Sequence, residues 1–406
     1  MDFRLDEDST HLASIGARLA AEFLPQAAEH DRTRALPLEN FAKLRDAGLY
    51  GVAFPHDLGG LGARTTGWLA TIEALAKGDA STALGFNMHY VATRIIADLD
   101  IIPADVKKRV ADLVIQDGAL ICAPLSEPAA SSLLPSTYLP SLKAKRVPGG
   151  LEVSGMKMYA SLWEASDYAF MFAHPDWTDD PTHVVGFLMP TRQEGHVEVT
   201  DIWDTMGMRA TGSNQVRITG AFVPDDLILC EFPDFLDNWI VAQAHITWGG
   251  YTGCYLGVAV AMSEWLQDQL GSRTAKGFAQ PMGYHPTISS AVGHIATQVE
   301  AARLLMYHAA WEADENSGPS VQTCAAFLRA KLMVANAINS IATLGTAAGG
   351  LTSLMRERGF ERMLRDASTG PIMPPNALAC AEMAGLLSMG LNPGEAPSLA
   401  MAATAS

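Results

Sequence analysis

Leu142-Lys-Ala-Lys-Arg-Val-Pro-Gly-Gly-Leu-Glu-Val-Ser154 is the stretch on which the fold class turns. Apolar and polar residues alternate on both sides of Pro148-Gly-Gly150, the pattern of two strands joined by a tight turn, because strand side chains alternate between faces and glycine supplies the turn. The same texture continues downstream. Tyr168-Ala-Phe-Met-Phe-Ala173 and Val184-Val-Gly-Phe-Leu-Met189 are short apolar runs bounded by turn residues, while Val197-Glu-Val-Thr200 and Gln215-Val-Arg-Ile-Thr219 alternate. Residues 121–234 therefore predict a β unit of about 110 residues, an ordinary domain size.

Helical periodicity surrounds this unit. Upstream, in residues 1–120, Leu12, Ile15, Leu19 and Phe23 recur at helical spacing after the capping-type residues Ser9 and Thr10. A second helix is marked by Phe41, Leu44 and Leu49, with Gly48 ending or weakening it, and Phe54-Pro-His-Asp-Leu-Gly-Gly-Leu-Gly62 makes a turn-rich break. Helices resume through Trp68, Ile72 and Leu75 and from Ser81 to about Leu99. Downstream, in residues 235–406, Val292, Ile295, Val299, Ala302, Met306 and Ala309 share one face, as do Leu328, Leu332, Ala335, Ile338 and Ile341. Gly318-Pro319 separates the two as a helix-hairpin turn, and the end, Met401–Ser406, is a small-residue tail. The expected order is α, then β, then α.

Of 406 residues, 49% are hydrophobic and 18% charged, which predicts extensive burial, part of it between subunits. The net charge of −16 excludes a general basic face for nucleic acid or anionic lipid, so a phosphate-bearing ligand must be held by a few placed arginines, backbone N–H groups or helix ends. Five scattered cysteines without a CxxC pair predict reduced thiols in a cytoplasmic protein and no metal site. The acidic start lacks the apolar core of a signal peptide, and no apolar run of ~18 residues predicts a membrane span. No GxGxxG follows a strand, so a Rossmann dinucleotide site is not expected.

Five motifs fall in one order: Leu44-Arg-Asp-Ala-Gly-Leu-Tyr-Gly-Val-Ala-Phe-Pro55 with Leu58-Gly-Gly60; Leu125-Ser-Glu-Pro128; Val153-Ser-Gly-Met-Lys-Met-Tyr159; Trp203-Asp-Thr-Met-Gly-Met-Arg-Ala-Thr-Gly-Ser213 with Val223-Pro224; and Arg365-Asp-Ala367. In that order, and across nearly the whole chain, they resemble the acyl-CoA dehydrogenase superfamily. The resemblance implies an α+β fold with an N-terminal helical domain, a central β domain and a C-terminal four-helix bundle. It also implies bound FAD and a homo-oligomer, a dimer or tetramer. Leu125-Ser-Glu-Pro128 is similar to the family's Leu-Thr-Glu-Pro signature, so Ser126, with backbone help from Leu125, inherits contact with the flavin pyrimidine edge. Fixed donors there stabilise the negative charge that reduced flavin builds. Tyr159-Ala-Ser161 resembles the family's Trp-Ile-Thr stretch, which implies Ser161 near flavin N5 and Tyr159 against the ring. Arg273 followed by Phe278 resembles an arginine that reaches the FAD pyrophosphate of a neighbouring subunit, a sound use of one bidentate cation in an acidic protein. Gly349-Gly350 resembles a close backbone approach to the adenosine arm, with a helix-ending glycine pair as the competing account. Arg209 is expected to brace its loop.

The resemblance fails at the base. Desaturating an acyl thioester needs a carboxylate to take the α-proton while flavin N5 takes the β-hydride. Pro374, in Ser368-Thr-Gly-Pro-Ile-Met-Pro-Pro-Asn376, stands where the family's Glu falls, and Thr247 stands at the alternative position on the first bundle helix. Glu127-Pro-Ala-Ala-Ser-Ser132 also lacks the family's Gly-Ser-Asp ending, which puts a CoA contact in doubt. Two readings stay open. One is dehydrogenation of an acyl-CoA or other acyl thioester with a relocated base, for which His89 and Glu382 are the nameable groups, and with an electron-transfer partner. The other is a two-component flavin monooxygenase acting on a small or aromatic substrate, which needs no α-proton base and is served by a flavin reductase. Its usual histidine after Arg-Asp is missing too, so dehydrogenation, the superfamily's commonest activity, is the expected reaction and oxygenation the alternative.

Overall fold

The computed structural model describes residues 5–128, 139–180, 182–233, 244–315 and 320–393. The first helix, α1 (Glu7–Phe23), is capped by Asp6, whose carboxylate accepts from Ser9 N at 2.7 Å. The cap is therefore not Ser9 or Thr10. Ser9 is buried, and its hydroxyl lies where a Cβ on Gly67 would meet it at 3.1 Å. Then come α2 (Ala27–Thr33), α3 (Leu38–Asp46), α4 (Thr65–Gly78), α5 (Ala80–Asp98) and α6 (Ala104–Ile115). Helix α5 is buried almost all round, which places it at the centre of its layer.

The middle of the chain is an eight-stranded sheet: β1 (Ile121–Cys122), β2 (Lys143–Val147), β3 (Gly150–Ala160), β4 (Tyr168–Pro175), β5 (Val184–Pro190), β6 (Val197–Thr200), β7 (Asn214–Pro224) and β8 (Ile228–Phe232). The order is β6-β7-β3-β2-β4-β5-β8, with β1 added in parallel to the start of β4. Strands β4 and β5 are continuous apolar runs because the sheet is buried there on both faces. The β3–β7 ladder pairs Ala160 with Asn214 after a register shift beyond Lys157, a bulge of the kind that re-aims side chains.

Past the sheet lie α7 (Gly249–Ser272), entered through a π turn at Ala244–Trp248, then α8 (Pro286–Glu315), α9 (Val321–Ser340), α10 (Thr346–Gly349), α11 (Phe360–Ala367) and α12 (Ala377–Ser388). The stripes read from the sequence are buried: Ile295, Val299, Ala302, Met306 and Ala309 on α8, and Leu328, Ala335 and Ile338 on α9, with Ile341 just beyond it. One stretch, Val321–Leu354, is apolar and long enough by composition to cross a membrane (mean hydropathy 1.2); it contains α9 and packs in the bundle. The Gly318-Pro319 turn, the boundary at 234/235, Ala129–Ser132 and the Met401–Ser406 tail lie outside the described residues.

The layers are joined by polar ties. Asp314 of α8 caps α4, accepting from Thr65 N at 2.7 Å and Thr66 N at 2.9 Å. On α11, Arg365 grips Asp31 of α2 through both carboxylate oxygens, at 2.7 and 2.6 Å, and Asp366 accepts from Met208 N at 2.7 Å. The α, β, α order expected from the sequence is the order observed.

Candidate active site

Three loops meet at one end of the sheet. The first, after β1, carries Leu125 and Ser126, both half-buried, and Ser126 O accepts from Met158 N of β3 at 3.0 Å. The next residue, Glu127, is buried against Lys157 with Oε1 to Nζ at 2.6 Å, and its Oε2 accepts from Ser141 N at 2.6 Å. Burial lowers the Lys157 pKa, and the Glu127 carboxylate opposes that shift. The second loop leaves β3 at Tyr159-Ala-Ser161-Leu162. Tyr159 has φ 54° and holds its ring 56% exposed, edge-on to Trp203 at 6.0 Å. The third runs from Trp203 to Ser213.

These loops interlock through short hydroxyl contacts. Ser161 Oγ lies 2.7 Å from Ser213 Oγ, which lies 2.6 Å from Thr211 Oγ1, which donates to Met208 O at 3.0 Å. Leu162 N donates to Thr211 O at 3.0 Å, and Trp203 Nε1 donates to Met208 O at 2.8 Å. Among the described residues four non-glycine positions adopt left-handed backbone, and three of them, Tyr159, Leu162 and Met208, are in this corner. Each costs about 1–2 kcal/mol relative to ordinary backbone, a load that clusters at functional sites.

The Arg365-Asp366 segment supports this corner. Gly207 passes so close that a Cβ there would sit 2.0 Å from Arg365 O, so only glycine fits. Burial pushes the Asp366 carboxyl up to about 6, against the pull of Arg362 at 3.4 Å and the Met208 N–H. Arg209 braces its loop, donating to Asp31 O at 3.0 Å, Asp204 Oδ1 at 2.9 Å and Thr205 O at 2.6 Å.

Sequence-distant residues also converge on the bundle. Arg273, at the end of α7, donates to Thr352 Oγ1 at 2.8 Å, just past Gly349 and Gly350. Gly349 ends α10 and Gly350 has φ 61°, so the pair does terminate a helix. On the segments that follow Arg273 and Gly350, Phe278, Tyr284, Leu351 and Leu354 are 71%, 74%, 83% and 50% exposed, and Arg273 is exposed as well.

The proton-transfer residues read from the sequence fare differently. His89 is fully buried and fully used: Nε2 donates to Tyr50 O at 2.9 Å and Nδ1 accepts from Ile121 N at 3.0 Å. Burial pushes it down to about 4, so it is a neutral pin between α5 and β1 rather than a base with a free lone pair. Glu382 is exposed on α12. Thr247 lies in the π turn, and its hydroxyl is buried without a partner among the described residues. One group was missed. Lys331 of α9 is buried, donates to Gly370 O at 3.2 Å in the loop after Arg365-Asp366, and is lowered by burial to about 8. A lone lysine inside an apolar helical stripe was the available signal.

Two family models match the chain: "Acyl-CoA dehydrogenase, N-terminal domain" over residues 6–99 and "Acyl-CoA dehydrogenase, C-terminal domain" over residues 250–372. The chain is 28% identical over 374 residues to the acyl-CoA dehydrogenase-type protein YdbM of Bacillus subtilis, covering 91% of this chain and 94% of that one. It is 26% identical over 401 residues to dibenzothiophene monooxygenase of Mycolicibacterium goodii, covering 91% of each. The FMN-bound structure of TdsC from Paenibacillus sp. A11-2 superposes with a TM-score of 0.83 at 22% identity, covering 95% of this chain and 99% of that one.

Proposed function

The chain belongs to the acyl-CoA dehydrogenase family, and from that premise we propose that it is an FAD-dependent oxidoreductase whose flavin ring lies at the corner formed by Leu125, Ser126, Tyr159 and Ser161. The side chains at this corner suit such a ring. Half-buried Ser126 and Ser161 supply hydroxyls on adjoining loops, Tyr159 holds an aromatic face outward, and Lys157 with Glu127 fixes the first loop to β3. FAD bound there supplies a hydride acceptor at N5 and, once reduced, a reductant for O2. Arg273, Gly349 and Gly350 are assigned to the phosphate and adenosine end, and the exposed apolar side chains on the segments that follow them fit coverage by a second copy of the chain. A dimer or larger species in light scattering is the expected result.

Of the two reactions left open by the sequence, oxygenation is the better supported. A single observation carries this: Pro374 and Thr247, neither able to take an α-proton, stand at the two positions where the family's base falls. Both His89 nitrogens are engaged, Glu382 is exposed, Lys331 holds the Gly370 carbonyl through one N–H, and His245, in the π turn with Thr247 and unpaired at Nδ1 among the described residues, is made a weak base by burial, at about 4. The proposed activity is thus that of a two-component flavin monooxygenase fed by a separate flavin reductase, on a small or aromatic substrate. Similarity to YdbM favours acyl-thioester dehydrogenation as the second reading. Anaerobic titration of the FAD-loaded protein with a panel of acyl-CoA thioesters separates the two. The flavin absorbance is expected to stay oxidised. Bleaching by any of them would replace oxygenation with dehydrogenation and demand a base from outside the groups named here.

A further inference from the structure

Three hydroxyls and three contacts at the Ser161 corner determine a direction. The chain of contacts is Ser161 Oγ to Ser213 Oγ at 2.7 Å, Ser213 Oγ to Thr211 Oγ1 at 2.6 Å, and Thr211 Oγ1 to Met208 O at 3.0 Å. A carbonyl oxygen only accepts, so the Thr211 proton is committed to Met208. The Thr211 oxygen must then accept from Ser213, and the Ser213 oxygen must accept from Ser161. Any other assignment leaves one of these short contacts without a hydrogen between its two oxygens. Ser213 and Thr211 are 3% and 1% exposed, so water is not at hand to complete a different pattern. The terminal acceptor is itself anchored: Met208 O also takes Trp203 Nε1–H at 2.8 Å, and Met208 N is held by Asp366 at 2.7 Å.

We infer that Ser213 and Thr211 are positioning residues that turn the Ser161 proton inward, so that Ser161 presents only lone pairs outward and favours the reduced state of the bound flavin. The inference rests on the placement of flavin N5 at Ser161 proposed above. Oxidised flavin carries a lone pair at N5, whereas reduced flavin carries a hydrogen. A hydroxyl that can only accept therefore pairs with the reduced ring and opposes the oxidised one. This differs from the bare expectation that Ser161 lies near N5, because a freely rotating hydroxyl would serve both states alike.

The test is the two-electron midpoint potential of bound FAD, with separate dissociation constants for oxidised and reduced FAD. Ser213→Ala frees the Ser161 proton, so the potential is expected to fall by ~30 mV, which is about a tenfold loss of preference for the reduced form in a two-electron couple. Reduced FAD should bind more weakly while oxidised FAD binds equally or more tightly. Thr211→Ser keeps the hydroxyl and should keep the wild-type potential. In a Ser161→Ala background, Ser213→Ala should produce no further shift, since its effect passes through Ser161. Equal weakening of both redox forms with an unchanged potential would mean a merely structural role and overturn the relay. A shift that persists without Ser161 would overturn it as well. Wild-type protein that takes up no FAD at all would instead remove the flavin reading itself, and the relay with it.

Discussion

Replacing Lys157 by methionine tests whether the loop bearing Ser126 is held by charge. Lys157 is 3% exposed and Glu127 11%, with 2.6 Å between Nζ and Oε1. Removing one partner of so buried a pair strands the other and costs about 3–5 kcal/mol of local stability, whereas removing both charges is far milder. In Lys157→Met the Glu127 carboxylate must seek water, and it can do so only by pulling its loop away from β3. The Ser141 N–H and the bond from Met158 N to Ser126 O are the remaining ties. If two residues, Ser126 and Glu127, become disordered in the free protein, FAD binding must reorder them at about 1–2 kcal/mol each. Taking about 2 kcal/mol in all, the FAD dissociation constant should rise about 30-fold. Flavin fluorescence titration measures it directly. Lys157→Met/Glu127→Gln should recover most of the loss, the mark of a coupled pair. Strictly additive losses, or a Lys157→Met variant that binds FAD within about threefold of wild type, would refute the reasoning that this pair, rather than general packing, holds the loop.

Two further outcomes follow from the helical layer. His89 is held neutral in the fold, at about 4 against an ordinary 6.5, so the unfolded chain takes up the proton first. Its contribution is fully present above pH 6.5 and is lost as pH falls toward 4, to a total of about 3 kcal/mol. His89→Gln should be less stable at pH 7.5 but show a flatter loss between pH 6.5 and 4 in thermal melts; parallel acid profiles would contradict the assignment. A Cβ at Gly250 would lie 1.8 Å from Asn87 Oδ1, so Gly250→Ala must force the amide aside where α7 crosses α5. A loss of about 1–3 kcal/mol is expected, largely restored by Asn87→Ala in the same chain, and an unchanged melting temperature for the single variant would show that the two helices pack more loosely.

The layer order was legible because it depends on local periodicity. Alternation in Leu142–Ser154 and the stripes at Ile295–Ala309 and Leu328–Ile338 are imposed by which face is buried, and each strand or helix writes its own period into the chain. The alternation was read only as far as Ser154, while β3 runs on to Ala160 and carries Lys157 and Tyr159 with it. Hydrogen-bond satisfaction is not local in this way. His89 looked like a lone histidine on a helix, open to function, until Tyr50 and Ile121 were found on its two nitrogens, 39 and 32 residues away. Lys331 carried a signal that reads two ways: a charged residue in an apolar stripe is most simply a solvated edge, yet here the stripe wraps far enough round α9 to bury it.

The hydroxyl relay lies between these cases. Thr211 and Ser213 fall within a motif recognised in the sequence, but their meeting with Ser161 depends on the β3–β7 register that sets Ala160 opposite Asn214. A slip of one residue would send the neighbouring side chains to opposite faces and dissolve the contact. The left-handed residues make sense in that light. Leu162, at φ 69°, aims its N–H at Thr211 O, and Met208, at φ 53°, turns its carbonyl toward both Thr211 and Trp203 while its N–H meets Asp366. Relaxing Met208 to ordinary backbone would recover about 1–2 kcal/mol but swing its carbonyl away. Thr211 would then lose the one acceptor that fixes the direction of every proton out to Ser161. The strain is retained because it sets which way the outermost hydroxyl points, and that orientation is what a flavin at this corner would meet.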